Sequence, residues 1–159
     1  MTLRISVDTP RGASSNLVAR KLNTSRRILC AAPDYLRERA APRSPADLVN
    51  HQCLSYSYVS SHLAGADGEH VVKVSGPIVT SHRHVLRAAA LRGLGIAYGP
   101  IDFFRDDIAA GRLVHVLPDY ELPRATIYAV YPATRRLSAK VKAFNDFMAS
   151  YFAASPIFR

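Results

Sequence analysis

The chain has 159 residues, 48% of them apolar, and a formal net charge of +9. This length allows one domain with a hydrophobic core, or two small lobes that share strands. No apolar run approaches the roughly 20 residues of a membrane span, and the first residues show no signal-peptide cleavage pattern, so we expect a cytoplasmic protein.

In the first third of the chain, alternating apolar residues predict strands and proline marks the helix starts. Pro33 opens one short helix. Ser44 is a suitable N-cap for a second, with Pro45 at its first position and Asp47 at its third. The predicted strands are 3–7, 17–22 and 26–32, and the predicted helices are 33–40 and 45–50.

The middle of the chain is predicted to contain two strands joined by a hairpin at Asp67-Gly68, over 53–59 and 70–79. A helix follows over about 82–93, capped by Thr80 or Ser81 and ended by Gly93 and Gly95. Next come a short buried strand over 96–99 and a helix over 101–111.

The last third holds a strand within 112–122, an almost wholly apolar strand over 124–132 and a long helix over 138–154. The apolar strand is typical of the interior of a parallel sheet. Because strands alternate with helices, the fold class is α/β with mostly parallel sheets.

The distribution of charge indicates less about function than the strand and helix pattern indicates about fold. The basic residues are scattered, and the densest groups are pairs at 20–21, 26–27 and 135–136. This pattern favours a generally basic protein over a direct DNA footprint.

Cys30 and Cys53 lie in strand-like apolar contexts without CxxC spacing, which predicts two buried free thiols.

The sequence contains no motif that identifies a catalytic or cofactor site. The glycines of GLGIAYGP come after a helix and before a strand, the reverse of a dinucleotide-binding loop. His82 and His84 diverge by roughly 200° on a helix, so they cannot share a metal ion there. Asp106 and Asp107 are read as a solvated helix face. We therefore predict no catalytic residues, no metal and no cofactor, and thus no enzyme.

Two polar groups are candidates for ligand binding. Thr80-Ser81-His82 lies where a strand ends and a helix begins, and such a point holds carboxylates or phosphates well. The alternative is an ordinary N-cap. Tyr98-Gly99-Pro100 follows at the carboxyl end of the next strand, the sheet edge at which ligands bind in open α/β sheets. If the two strands adjoin, both groups line one crevice.

Six stretches in order carry a family resemblance. They are LVARKL, RRILCAAPDYL, PRSPADLVNHQCLSYS, VSGPIVTSHRHVLRAAALRGLGIAYGP, DDIAAGRLVHVLPDY and IYAVYPATRRLSAKVKAFNDFM. Together they resemble the C-terminal effector-binding (substrate-binding) domain of LysR-type transcriptional regulators.

The resemblance implies a type 2 periplasmic-binding-protein-like α/β fold, with one complete lobe and part of the other. It places a partial first lobe at 1–31, the complete second lobe at 32–122, and a return crossover with the C-terminal helix of the first lobe at 123–159. It also implies a chain truncated at its N-terminus, which lacks the winged helix-turn-helix through which such regulators bind DNA.

The function implied is sensing of a small-molecule effector, a small carboxylate or other anion, by a homo-oligomeric regulator. Alternatives are a solute-binding protein of a transport system and a small α/β enzyme. The effector-binding residues expected from the resemblance and from the two polar groups are Ala32, Pro33, Thr80, Ser81, His82, Tyr98, Gly99 and Pro100.

Overall fold

The structure is a computed structural model that describes residues 4–7, 17–55, 61–65, 68–132 and 139–154. The strands are β1 (Arg4–Val7), β2 (Leu17–Ser25), β3 (Arg27–Ala31), β4 (Cys53–Leu54), β5 (Ser61–Gly65), β6 (Gly68–Val72), β7 (Ile96–Pro100), β8 (Val114–Val116) and β9 (Ala125–Pro132). The helices are α1 (Pro33–Arg39), a 3-10 helix (Pro45–Asn50), α2 (Arg83–Leu91), α3 (Ile101–Ala109) and α4 (Ala139–Ala154).

The chain divides into two compact units. Unit 1 consists of Met1–Ser25 with Arg124–Arg159, and unit 2 is the continuous segment Arg26–Pro123. Strand β3 belongs to unit 2 because it is hydrogen-bonded on both sides to strands of that unit. The lobe boundaries expected from the resemblance, 31/32 and 122/123, stay a prediction.

Unit 1 contains a three-stranded antiparallel sheet in the order β1-β9-β2. The apolar strand β9 is interior, as its sequence suggests, but the expectation of a parallel sheet is wrong at this strand. A continuous apolar run reports burial on both faces and says nothing about strand direction. Helix α4 packs against β2, and Arg20 of that strand forms a 2.8 Å ion pair with Asp146.

Unit 2 is built on a four-stranded mixed sheet in the order β4-β7-β3-β8. Strand β4 is parallel to β7, whereas β3 runs antiparallel to both β7 and β8. The prediction of mostly parallel sheets is therefore wrong for the described strands. The neighbours of β3 come from far along the chain, so their direction depends on long-range topology that local sequence patterns do not carry.

Two hydrophobic cores lie on opposite faces of this sheet, because successive residues of β3 point to opposite sides. Leu29 and Ala31 join a core with α1, the 3-10 helix, β6 and the turn after β8. Ile28 and Cys30 join a second core with α2 and α3. Unit 2 is thus a sheet covered on both faces, with α2 and α3 on the same side.

Short-range signals in the sequence are confirmed. Ser44 and Asp47 form a reciprocal capping box at the 3-10 helix. The hairpin expected near Asp67-Gly68 forms between β5 and β6, with Gly65 opposite Gly68, but its first strand lies in the segment between the two predicted strands and not within 53–59. Helix α2 ends on Gly93 (φ 71°) in a Schellman motif, in which Leu94 N–H donates to the Ala89 carbonyl over 3.1 Å.

Other expectations fail or lie outside the described residues. The N-cap of α2 is His82, and no side chain caps the helix, so neither Thr80 nor Ser81 is the cap. The strand expected over 70–79 stops at Val72, and only an isolated bridge pairs Val79 with Ser55. Residues 56–59 of the strand expected over 53–59 are outside the described part of the chain.

Asp107 is buried, which corrects its assignment to a solvated face. Arg87 Nη2 of α2 donates to Asp107 Oδ1 over 2.8 Å, and Arg112 Nη2 donates to the same oxygen over 2.7 Å. The peptide N–H of Arg112 also donates to the Asp107 carbonyl over 2.8 Å. These bonds tie α2, α3 and the turn before β8 together. The hydrogen bonds from Arg87, followed by those from Arg112, lower the pKa of Asp107.

The first prediction concerns Gly95, which links α2 to β7. Its φ is 155°, and a Cβ atom there would lie 2.2 Å from the Gln52 carbonyl oxygen. Gly95→Ala should lower the free energy of unfolding by about 3 kcal/mol because the backbone of Gln52 must move. Gly111→Ala is the control: its φ is 69° with nothing within 4 Å of the added Cβ, so a loss of only about 1 kcal/mol is expected. If urea titrations show equal losses of unfolding free energy for the two variants, the close approach of Gly95 to the Gln52 backbone is contradicted.

The second prediction concerns Asp107. Asp107→Asn should cost about 2 kcal/mol, less than for a fully buried ion pair because both arginines are partly exposed. Because folding lowers this pKa, the wild-type advantage is fully present above the ordinary pKa of an aspartate and is lost progressively as the pH falls from that value through the lowered pKa of the folded state. Urea titrations from pH 3 to 7 of wild type, Asp107→Asn and the exposed-site control Asp106→Asn measure this. If the free energy of unfolding of Asp107→Asn lies as far below that of wild type at pH 3 as at pH 7, the prediction is wrong.

Candidate functional site

The carboxyl edge of the unit 2 sheet is where the two predicted polar groups meet. The peptide N–H of Thr80 donates to the Ser55 carbonyl over 3.0 Å, directly after β4 ends. Since Leu54 pairs with Ala97, Ser55 stands beside the position of Tyr98 on the neighbouring parallel strand. Residues 80–82 and 98–100 therefore lie at the same edge, as the sequence suggests for adjoining strands.

The turn that leads into α2 is open to solvent. Ser81 and His82 are exposed and Thr80 is half-buried. The Thr80 hydroxyl accepts a hydrogen bond from the peptide N–H of His82 over 3.1 Å. This bond orders the turn and leaves the helix without a side-chain cap, so peptide N–H groups of the first turn of α2 stand at the edge.

The start of α2 differs in charge from the other helix starts of unit 2. Asp34 lies in the first turn of α1, Asp47 in that of the 3-10 helix, and Asp102 in that of α3. Asp102 is in addition paired with Arg105 over 2.7 Å. The first turn of α2 has no acidic residue and instead begins with Arg83 and His84. Its positive dipole end is therefore not neutralised by its own side chains.

Phe103 holds these two basic side chains in place. The Arg83 guanidinium carbon lies 5.1 Å from the centre of the Phe103 ring. The His84 ring meets the same ring edge-on, with 5.0 Å between centroids. Since α3 begins directly after β7 at the same edge, these contacts connect the first turns of α2 and α3.

Tyr98, Gly99 and Pro100 form the end of β7. Tyr98 and Gly99 are buried and Pro100 is half-buried. The Arg27 guanidinium carbon lies 5.5 Å from the centre of the Tyr98 ring. Arg27 is paired with Pro100 in the antiparallel ladder, so the amino end of β3 is at the same edge as the carboxyl end of β7.

Ala32 and Pro33 are separated from the other expected site residues. Because β3 is antiparallel to β7, its carboxyl end lies at the opposite edge of the sheet. Ala32 is five residues beyond Arg27, the partner of Pro100, which corresponds to roughly 17 Å along the strand. Ala32 is also 5% exposed. One small molecule cannot contact both Ala32 and Pro100.

The opposite edge of the sheet contains a buried polar network whose role is to stabilise the fold. Tyr35 Oη lies 3.1 Å from His51 Nδ1 and accepts a hydrogen bond from the Gln52 peptide N–H over 2.9 Å. Burial lowers the pKa of His51, which favours the neutral ring that can accept from Tyr35. The network fixes α1 against the turn before β4.

Two residues at the carboxyl edge were missed by sequence reasoning. The sequence predicts only that Ser55 belongs to a strand and that Arg27 is one half of a basic pair. No local signal marks either residue, because Ser55 gains its place through the bond to Thr80, and Arg27 through the ring of Tyr98.

Metal and membrane features are not found in the described part of the chain. Among its His, Cys, Asp and Glu side chains, no group of three could hold a metal ion. No helix that the structure describes is long and apolar enough to cross a bilayer.

Comparison with known proteins assigns the family. A family model described as LysR substrate binding domain matches residues 4–153. The chain belongs to the LysR substrate-binding domain family. The helix-turn-helix transcriptional regulator DmlR of Escherichia coli K12 is 38% identical over 143 residues, which are 87% of this chain and 46% of DmlR. The activator TtdR of the same strain is 32% identical over 139 residues, 84% of this chain and 44% of TtdR.

Solved structures agree with the family and with the predicted fold. Full-length AphB of Vibrio cholerae has a TM-score of 0.79 at 31% identity, over 94% of this chain and 51% of AphB. The regulatory domain of CrgA from Neisseria meningitidis has a TM-score of 0.75 at 28% identity, over 92% of this chain and 74% of that domain. The type 2 periplasmic-binding-protein-like fold is confirmed. The chain spans about half the length of the curated relatives it matches.

The third prediction concerns the two thiols. Cys30 and Cys53 are free and buried, as the sequence suggests. They belong to cores on opposite faces of the sheet, and burial raises their pKa values to about 12 and about 11. Because thiolates are the reactive species, neither thiol of the native protein should react with Ellman's reagent at pH 8 within minutes, and both should react in urea. Rapid reaction of a thiol in the native protein would contradict their burial.

Proposed function

We propose that this chain is the effector-sensing part of a LysR-type bacterial transcription regulator and that it binds a small carboxylate or other small anion at the carboxyl edge of unit 2. The observation that carries the proposal is the bond from Thr80 N–H to the Ser55 carbonyl. This hydrogen bond holds residues 80–82 at the edge, immediately before α2. Among the described helices of unit 2, α2 is the one without an acidic residue in its first turn.

The chemistry of the edge favours an anion. Peptide N–H groups at a helix start bind carboxylates well, since the dipole and the hydrogen bonds act together. The hydroxyls of Thr80 and Ser81 can donate to a carboxylate oxygen, and Arg83 adds a positive charge one residue after the N-cap. The residues proposed to contact the effector are Thr80, Ser81, His82, Tyr98, Gly99 and Pro100. Ala32 and Pro33 are left out because of their distance from this edge.

The remaining parts of the proposal follow from the family. The relatives are named helix-turn-helix regulators, so DNA recognition would come from a segment outside these 159 residues. We also propose that the regulator is a homo-oligomer in the cytoplasm and that this chain catalyses no reaction. A transport solute-binding protein or a small enzyme has no comparable support, because the matching family model is the LysR substrate-binding domain and the relatives named above are transcriptional regulators.

The fourth prediction tests the site with defined probes. Acetate, malonate, succinate and benzoate are added to the purified chain at constant ionic strength, with neutral succinamide as the uncharged comparison. At about ten times Kd, a bound carboxylate should raise Tm by about 3 °C or more. Thr80→Val and Ser81→Ala should each weaken binding about fivefold, the effect of one lost hydrogen bond.

Ser75→Ala is the matched control. Ser75 is an exposed serine of the same connecting segment, but its carbonyl accepts from the Cys53 N–H, at the amino end of β4. Its replacement should leave affinity unchanged. If none of the four carboxylates raises Tm above the value in chloride of equal ionic strength, the proposal of a carboxylate effector fails.

A further inference from the structure

The polar network at the edge of the unit 2 sheet opposite the proposed effector site depends on one hydroxyl hydrogen. Tyr35 Oη accepts a hydrogen bond from the Gln52 peptide N–H over 2.9 Å. The hydrogen of the hydroxyl then has His51 Nδ1, 3.1 Å away, as its acceptor. In the part of the chain that the structure describes, the hydroxyl has no third partner. This arrangement requires an unprotonated Nδ1, so the neutral His51 ring carries its hydrogen on Nε2.

Protonation of His51 is incompatible with this set of hydrogen bonds. A proton from solvent that binds Nδ1 turns this atom from an acceptor into a donor. Tyr35 Oη can accept from both Nδ1 and the Gln52 N–H, but the hydroxyl hydrogen then has no acceptor. Because Tyr35 is only 3% exposed, an unsatisfied hydroxyl at this place is costly. The protonated ring therefore separates from Tyr35.

The surroundings of His51 resist its protonation. Burial has the largest influence and lowers the pKa of the ring, the Asp47 carboxylate raises this pKa, and Arg39 lowers it. Cys53 acts on Tyr35 rather than on the imidazole. The 3-10 helix that precedes His51 also packs against β6, whose titratable residues are Glu69 and His70.

Helix α1 depends on Tyr35 for its position. It has seven residues, and Tyr35 is the buried one. Leu36 packs against the same core but is only partly buried. A helix of this length is not stable without tertiary contacts. The other end of the network is fixed, because the Gln52 carbonyl accepts from the Ile96 N–H of β7 over 2.8 Å. Loss of the bond between Tyr35 and His51 therefore affects α1 more than the sheet.

We infer that His51 and Tyr35 form a pH-dependent latch on α1: the neutral ring accepts from the Tyr35 hydroxyl and holds the helix on the core, and the protonated ring releases it. The latch is independent of the proposed effector site, which lies at the other edge of the sheet. Because folding lowers the pKa of His51, the latch is closed above the ordinary pKa of a histidine. It opens progressively as the pH falls from that value through the lowered pKa of the folded state.

Amide hydrogen exchange of the 159-residue chain, followed by NMR at pH 7.5 and pH 5, tests the latch. Protection factors are compared, since they remove the intrinsic effect of pH on exchange. The Leu36 amide, which donates to the Ala32 carbonyl over 3.2 Å, reports on α1, and the Ile96 amide reports on β7. The variants are Tyr35→Phe, His51→Asn and the control His115→Gln. His115 is a half-buried histidine of β8 whose pKa is also lowered by burial.

In wild type we expect the protection factor of Leu36 to fall about tenfold between pH 7.5 and pH 5, and that of Ile96 to change less than about twofold. His51→Asn should keep the protection of Leu36 at both pH values, because the amide oxygen can accept from Tyr35 and does not titrate. Tyr35→Phe should show the low protection already at pH 7.5, with no further fall. His115→Gln should respond to pH as wild type does.

Three results would overturn the latch. The first is a protection factor of Leu36 in wild type that is the same at both pH values. The second is a fall in His51→Asn as large as in wild type, which would assign the response to another group. The third is a His51 ring titration, followed by the Cε1–H chemical shift, whose midpoint differs from that of the Leu36 response. If Tyr35→Phe does not fold, wild type and His51→Asn decide the question in the same way.

Discussion

The antiparallel pairing of β3 with β7 is the constraint on which unit 2 depends. Strand β3 is interior, and its side chains enter both cores alternately, Leu29 and Ala31 on one face and Ile28 and Cys30 on the other. The pairing sets the direction of β7, and the parallel pairing of β4 with β7 then brings the turn at 80–82 to the same edge. It also brings the amino end of β3 there, and with it Arg27.

The electrostatics of this edge follow from the same arrangement. Helices α2 and α3 begin there, and Asp102 neutralises the start of α3. The positive end of the α2 dipole is not neutralised, and Arg83 and His84 lie in its first turn, in a chain of net charge +9. Away from that edge, the buried carboxylate of Asp107 forms ion pairs with Arg87 and Arg112. These ion pairs hold α2, α3 and the turn before β8 together. Rigid support and local positive charge together favour recognition of a small anion.

Local sequence patterns predicted what local interactions determine. The Ser44 capping box, the glycine that ends α2 and the hairpin at Gly68 each depend on a few consecutive residues, and all three are found. Strand direction, the burial of Asp107 and the contact between Arg27 and Tyr98 depend on residues far apart in sequence. None of these could be derived from spacing or propensity. The grouping of residues 80–82 with 98–100 could be predicted because it needed only that two strands adjoin. That Ala32 and Pro33 lie at the opposite edge could not be predicted, because it depends on the antiparallel direction of β3.

We propose that a small anion binds at the carboxyl edge of the unit 2 sheet. Amide chemical-shift mapping of the isotopically labelled chain during a succinate titration tests it most directly. We expect saturable shifts concentrated at residues 80–84 and 98–102, with little change around Tyr35 and His51 at the opposite edge. Saturable shifts concentrated around Tyr35 and His51, with residues 80–84 unmoved, would contradict it.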